Sequence, residues 1–415
     1  MNVFYSIVLC LMCTAVSAQT LEEQLQGLAG KLADLEAQKK VILAQAEDLK
    51  LQRIRRDLGN IGMPTTDYVA HAAMFIAYDE KHEQAKWVAH IITADIITGN
   101  VGRTNDFRED PKITTGSAVE ADYFLKSEQP DGTVEYDGFG YDRGHLAPSA
   151  DFRWSHKALS ESYFYSNMSP QLPAFNRESW ADLEALLRGY IFEHPETQLY
   201  VFTLPILSPE LPVIERGVNK VSIPNKFVKV ALDLKNQQGI AFVMPNQKND
   251  EPLSSFAITI DEAEAQTGFD FYHLLADEQE AKIEAQLDKK RWFPALASGD
   301  VEPLIAPDLP KNHFNTTQAK YYLNKKDKIH VCGTVVSTRL SRKGNLWLNL
   351  DKKFPNQVFS AYIPKEHLVN FSYIPEKELL GKQVCIYGMV RNVNGTPTMK
   401  VFKENEISYF EERNK

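Results

Sequence analysis

Leucine or isoleucine recurs every seven residues through Leu21, Leu28, Leu35, Ile42 and Leu49, with Leu25, Leu32, Lys39, Ala46 and Arg53 at the intervening heptad positions. That seam predicts a coiled coil over roughly Leu21 to Asp57, weakening toward its C-terminal end as the partner positions turn polar or small. The expected consequence is a homo-oligomer; a lone helix packed on the following domain is the alternative. Gly59 to Thr66, with Gly, Asn and Pro, ends the helix. The apolar pattern then shortens to strand-like runs at Ala73 to Tyr78, Trp87 to Thr93, Leu199 to Leu204, Phe227 to Leu232 and Gly239 to Met244. Trp180, Leu183, Leu186 and Leu187 fall at helical steps and predict a helix from Glu178 to Tyr190. Ile260 to Thr267 and Glu278 to Lys290 read as short helices, and Pro294 to Pro310 as a proline-bearing connector. Five further short strands follow at His330 to Ser337, Asn345 to Leu350, Gln357 to Ile363, Gln383 to Val390 and Thr398 to Phe402, with Asn394-Gly395 as a hairpin turn. The fold class is therefore mixed, α+β.

Composition adds little, since 43% hydrophobic and 24% charged residues are ordinary for a globular chain, and 415 residues suffice for two or three domains. Charge adds more. Thr317 to Lys415 carries 17 Lys and Arg against 9 Asp and Glu, a net +8, so the rest of a chain of net −9 holds −17. The acidic body repels polyanions at long range, whereas the basic C-terminal part attracts them. Met1 to Ala18 reads as a signal peptide, with an apolar run and a Val16-Ser17-Ala18 cleavage pattern, which implies a secreted or periplasmic protein. A membrane anchor needs about 18 to 20 apolar residues, more than this run or any other provides, so no stable membrane insertion is expected. A lipid anchor at Cys13 is a minor alternative. Cleavage leaves Cys332 and Cys385, either as one disulfide or as two buried thiols.

The densest chemistry lies in Asp142-Arg143-Gly144-His145, followed by Asn167, Asn176, Trp180 and Glu184. Phosphodiester hydrolysis needs a base for water, a cation to absorb charge on phosphoryl oxygens, and protonation of the leaving alkoxide. His145 suits the first, since an imidazole titrates near working pH. A neutral Asn carbonyl suits Mg²⁺, which takes few protein oxygens, and Arg143 offers a planar cation for phosphate. On a regular helix Asn176, Trp180 and Glu184 follow one another at i+4 and i+8, placing Glu184 two turns from Asn176 on one face. Any one of these residues alone reads as a turn, a cap or a structural histidine; the composite does not.

Residues from about Gly62 to Leu275 resemble the DNA/RNA non-specific endonucleases of the ββα-metal, or His-Me finger, superfamily. The matching words are Tyr141-Asp-Arg-Gly-His-Leu-Ala-Pro-Ser-Ala-Asp151, Ser166-Asn-Met-Ser-Pro-Gln171, Phe175-Asn176, Trp180-Ala-Asp-Leu-Glu184, Ile223-Pro224 through Val230, Met244-Pro-Asn246 and Thr267-Gly-Phe-Asp-Phe271. The resemblance implies a ββα-metal core with His145 as general base and Asn176 as ligand of one Mg²⁺ (Mn²⁺ as a substitute). Asn167 and Glu184 would organise the metal shell, while Arg143 and either Arg103 or Arg108 would contact phosphate. Substrates would be DNA and RNA, and products would carry 5′-phosphates. One departure is Thr203-Leu204-Pro205, where a Gly is expected in place of Leu204.

The C-terminal strands, with a helix-like link between the third and fourth and Gly333, Gly381 and Gly388 at bends, look like an OB-fold barrel. Arg339, Arg342, Lys343 and Trp347 in its first hairpin are candidates to follow a phosphate backbone and stack a base; a solvated basic loop with Trp347 in the core is the alternative. The organisation expected is a signal peptide at 1–18, a coiled-coil helix at 19–58, an endonuclease domain at 62–275, a linker at 276–316 and an OB-like nucleic-acid-binding domain at 317–415. The competing functional class is a non-enzymatic capture protein that binds extracellular nucleic acid through coiled coil and OB domain. A phosphodiesterase for another phosphate ester is a narrower rival.

Overall fold

The computed structural model describes residues 20–129, 133–294, 298–393 and 395–410. The expected signal peptide lies outside them. Two compact units meet at the boundary between Gln52 and Arg53.

Leu21–Ile61 is one helix, α1, capped by Thr20, whose hydroxyl accepts from Glu23 N while its own N–H donates to the Glu23 carboxylate. It runs one turn past the expected Asp57, and Ile54, Leu58 and Ile61 at its end are buried. The seam positions Leu21, Leu25, Leu28, Leu32, Leu35, Ile42 and Leu49 are all exposed on the single chain, at 59–73%. No described helix is long and apolar enough to cross a membrane.

The body is built on a seven-stranded antiparallel sheet. Its central strands are β1 (Met74–Asp79), β2 (Gln84–Ile92), then β5 (Leu199–Pro205), β6 (Lys226–Asp233) and β7 (Gln238–Pro245), in that order, with two-residue strands at either edge. All seven residues of β5 are buried, because both faces of the sheet are covered. Leu204 sits within β5 opposite Val228, so the position where glycine was expected is extended strand and needs no positive φ. Between β2 and β5 the chain forms the separate pair β3 (Asp142–His145) and β4 (Met168–Gln171), followed by helix α2 (Trp180–Glu193). An exposed hairpin, Phe124–Glu128 against Val134–Gly138, was not legible in the apolar pattern.

Helices α3 (Ile260–Thr267) and α4 (Asp277–Glu284) lie against β7. Gly239 makes this possible, since a Cβ there would stand 2.6 Å from Ile260 Cδ1 and 3.1 Å from Ile283 Cγ2. The second expected helix ends at Glu284, and a separate one-turn helix, Lys289–Trp292, follows it. Trp292 is buried and stacks on Tyr190 with centroids 4.3 Å apart. The stretch expected to be a linker is thus partly packed on the body.

The C-terminal part forms an eight-stranded sheet. Its longest strands are β8 (Ile329–Leu340), β9 (Leu346–Leu350), β10 (Phe359–Ile363), β11 (Gln383–Gly388) and β12 (Thr396–Lys400). The hydrogen-bonded path runs β12-β10-β9-β8-β11 and ends on the short strands Arg391–Val393 and Ile407–Tyr409, which do not pair with each other. The expected closed barrel is not found among the described residues. Instead the sheet contributes to a core that includes Val331, Val335, Leu348, Phe359, Ile386 and Met399, and its two end strands do not pair with each other. Cys332 and Cys385, directly opposite each other on β8 and β11, form a disulfide. Gln318 Nε2 donates to Ile97 O at 3.0 Å and Tyr321 Oη to Phe192 O at 2.9 Å, docking this part on the body.

Candidate active site

Antiparallel pairing of β3 with β4 sets Asp142 opposite Gln171, Gly144 opposite Ser169 and His145 opposite Met168. Gly144 makes room for the buried Gln171 side chain, which a Cβ at this position would displace, meeting its Cγ at 2.5 Å. Beyond β4 the chain enters α2 through a π-turn, Phe175–Ser179, which contains Asn176. Such wide turns recur at functional sites because they re-aim a side chain relative to the regular helix that follows. The i+4 and i+8 spacing from Asn176 to Trp180 and Glu184 therefore does not place them on one α-helical face, as uniform helical geometry implied. Asp142 orients Asn176: its Oδ2 accepts from Asn176 Nδ2 at 2.9 Å and from Arg177 Nε at 2.8 Å, and its Oδ1 from Arg177 Nη2 at 2.7 Å. A carboxylate only accepts, so it fixes the amide NH₂ on its side and leaves Asn176 Oδ1 turned away. No described residue donates to that oxygen. Asp142 and Arg177 are neighbours of Asn176 to which the sequence reading gave no role, although Asp142 stood in the central motif.

The imidazole of His145 meets Tyr163 edge to face at 5.0 Å and Phe107 at 5.9 Å. Its Nε2 is buried without a hydrogen-bond partner, which leaves Nδ1 on the accessible side. Burial, with the charges of Arg103 and Arg143, pushes the imidazole down to about 3. The ring is therefore neutral, the form that accepts a proton, but it is also a weaker base than a free imidazole titrating near working pH. The unfolded chain takes up this proton near 6.5 and the folded chain near 3, so the site costs stability progressively as pH falls from about 6.5 toward 3. In metal-free protein the His145 Cε1–H resonance is expected to hold its neutral position from pH 8 to 5; a midpoint near 6.5 would contradict this environment.

Arg143 stacks its guanidinium 3.6 Å from the Phe107 centroid, with Nη1 3.4 Å from Tyr165 Oη. Arg103 donates to Tyr163 Oη at 3.3 Å, and its charge acts on both His145 and Glu184. Arg108 points elsewhere: Nη1 donates to Asp106 and to Ser160 O, Nη2 to Ser160 Oγ, and the group covers Phe164 at 4.2 Å. Of the two upstream arginines, the structure brings Arg103 to His145.

Asn167 is buried and its amide is spent on backbone. Oδ1 accepts from Ala147 N at 2.9 Å, while Nδ2 donates to Ala147 O and to Ser162 O. It clamps the turn after His145, with both amide hydrogens and one lone pair of Oδ1 used on backbone. Glu184 lies near a buried cation that the sequence presented without comment, Lys229 on β6. Lys229 is 1% exposed and donates to Thr203 Oγ1 at 2.6 Å and Leu146 O at 3.2 Å. Burial raises Glu184 and lowers Lys229, and the two opposite charges moderate each other. Behind them Asp151 accepts from Arg188 at 2.9 Å and lies 2.9 Å from His90 Nε2. Burial works against the Asp151 carboxylate, yet Arg188 and His90 hold it below the usual range. A lysine inside an apolar strand is the signal by which the sequence could have pointed to this network, but it was not used.

In the C-terminal sheet Arg339 pairs with Trp347, Trp347 with Tyr362 and Tyr362 with Lys400, so the four side chains form one row across four strands. Trp347 and Tyr362 stack at 5.0 Å and are partly exposed, which puts Trp347 on the outer face and not in the core. Arg342 and Lys343 are exposed in the connecting turn.

The family model described as DNA/RNA non-specific endonuclease matches residues 55–278. The chain belongs to that family, and the class of protein is a nuclease, a phosphodiester hydrolase. Mitochondrial endonuclease G of Bos taurus is 30% identical over 232 residues, covering 52% of this chain and 72% of the relative. Nuclease C1 of Cunninghamella echinulata is 31% identical over 50% of this chain and 84% of its own length. A crystal structure of an EndoG/EndoGI complex is 29% identical to this chain and covers 53% of it and 91% of the solved chain, with a TM-score of 0.44.

Proposed function

We propose that this nuclease is a Mg²⁺-dependent, sugar-non-specific endonuclease in which His145 is the general base. The observation that carries the reading is the pairing of a neutral, desolvated imidazole with an asparagine whose amide is pinned by Asp142 so that its oxygen is free. One neutral oxygen fits Mg²⁺, which draws most of its ligands from water and phosphate; Asn176 would hold the ion, with Glu184 facing its hydration shell. Bound there, the cation absorbs charge on the phosphoryl oxygens. His145 Nδ1 removes a proton from water as the water oxygen bonds to phosphorus. The P–O3′ bond breaks, and the 3′ oxygen takes up a proton from solvent. The products are a 5′-phosphate and a 3′-hydroxyl. Arg143 and Arg103 contact the phosphate, whereas Arg108 braces the loop. Arg103→Ala is expected to lower kcat/KM at least ten-fold while retaining the fold; an effect confined to Arg108→Ala would reverse the assignment.

The ββα-metal motif corresponds to β3, β4 and α2, and the strand order of the C-terminal sheet suits an open OB-like module. That module supplies the tether. Its basic charge and the Arg339-Trp347-Tyr362-Lys400 row fit a single strand whose bases stack and whose phosphates meet cations. Replacing Arg339, Arg342 and Lys343 together by Ala is expected to flatten the salt dependence of single-strand binding by about 2 to 3 logarithmic units of slope. An unchanged slope would remove the tether. The exposed leucine seam of α1 supports self-association, and the signal-peptide reading of Met1 to Ala18 supports export.

A further inference from the structure

Helix α3 is fixed at its start by a capping box, Thr259 accepting from Glu262 N while the Glu262 carboxylate accepts from Thr259 N, and ends at Gly268 with φ 72°. Helix α4 ends on Glu284. Ile260 and Ile283 both press on Gly239 of β7, and the residue after each is acidic. Their meeting over one glycine draws Asp261, Glu264 and Glu284 together, with one oxygen from each lying within 4.8 Å of the others. Around Ca²⁺ at 2.3–2.6 Å, opposite ligand oxygens stand about 5 Å apart, and around Mg²⁺ about 4 Å.

A second observation points to a ligand. Glu284 is only 5% exposed, and its Oε1 is fully buried with no hydrogen-bond donor. Glu280 Oε1, one turn earlier on α4, is likewise buried and unpartnered. Glu264 receives one backbone N–H, from Phe271 at 2.7 Å. Among the described residues no Lys, Arg or His forms an ion pair with any of these carboxylates. Three clustered carboxylates, one of them buried, are costly without a counter-charge. Burial, then the charges of Glu264 and Glu280, push Glu284 up to about 9.

We propose that Asp261, Glu264 and Glu284 bind a divalent cation, Ca²⁺, which staples α3 to α4 on the edge of the sheet. The site is separate from the catalytic one. Gly239 lies near one end of β7, and Asn246, which accepts from Leu172 N, lies just past the other, roughly 20 Å away at strand rise. A cation that binds only the folded chain adds stability by mass action.

The test is calorimetric titration and thermal melting of the full Asn176→Ala chain with CaCl₂, the substitution removing the catalytic ligand so that a failure here is independent of the nuclease reading. The expected result is one equivalent of Ca²⁺ bound, a melting temperature several degrees higher, and MgCl₂ at least ten-fold weaker. Adding Glu284→Gln should abolish the effect. Adding Asp261→Asn, at an exposed position that leaves the fold intact by circular dichroism, should weaken Ca²⁺ at least ten-fold. Undiminished affinity in both variants, or no response to CaCl₂, would overturn the site. So would a melting temperature indifferent to CaCl₂ but raised by acidification from pH 8 to 6, since protons would then hold the cluster together.

Discussion

His145→Ala should lower kcat on plasmid DNA by about 10²- to 10⁴-fold, the usual contribution of a positioned general base, with little change in nucleic-acid binding. The prediction rests on the ring's surroundings. Tyr163 and Phe107 wall the imidazole, Nε2 is turned inward, and burial with Arg103 and Arg143 keeps it neutral. The guanidiniums remain when the imidazole is removed, so phosphate contact persists while proton removal does not. A variant that binds and cuts like the parent would remove His145 from the mechanism. Thermal melting of the same variant separates lost chemistry from lost fold.

Asp151→Ala should be the most damaging change to stability, at about 3–5 kcal/mol, because removing one partner of a buried pair leaves the other charge uncompensated. Arg188 would keep only Glu184, at 3.9 Å, and His90 would lose its acceptor. The denaturant midpoint should fall sharply and activity should fall with it, since Glu184 shares this network with Lys229. Asp137→Ala, at the exposed Arg216 pair, should leave the midpoint unchanged. Equal midpoints for the two variants would show that the buried network is not holding the site.

Much of the sheet was readable because its strands are apolar runs bounded by turn residues, as at Leu199 to Leu204 and Phe227 to Leu232. Helix α3 was readable from Ile260 to Thr267 because its cap and terminal glycine are written locally. The motif residues were readable as candidate chemistry, since His145, Asn176 and Glu184 stand in words shared with the non-specific endonuclease family. What the sequence could not carry was phase and pairing. The π-turn at Phe175–Ser179 has no residue signature, so uniform helical spacing misplaced Asn176 relative to Glu184. Asn167 was assigned to the metal shell because its motif is shared; its backbone bonds to Ala147 and Ser162, which brace the turn after His145, were not legible. Arg103 and Arg108 are equivalent in a one-dimensional reading; only the Asp106 and Ser160 contacts of Arg108 distinguish them. Cys332 and Cys385 were legible as an even pair, and their cross-strand register made the bond. Barrel closure depends on whether distant edge strands meet, which local strand pattern does not encode.

The most direct test of the central claim is cleavage of supercoiled plasmid and of single-stranded RNA by the parent chain and by Asn176→Ala, each in MgCl₂ and in EDTA. The account predicts that the parent cuts both substrates in MgCl₂ and neither in EDTA, and that Asn176→Ala cuts poorly even in MgCl₂. Cutting by the parent undiminished in EDTA, or full activity in Asn176→Ala, would contradict it.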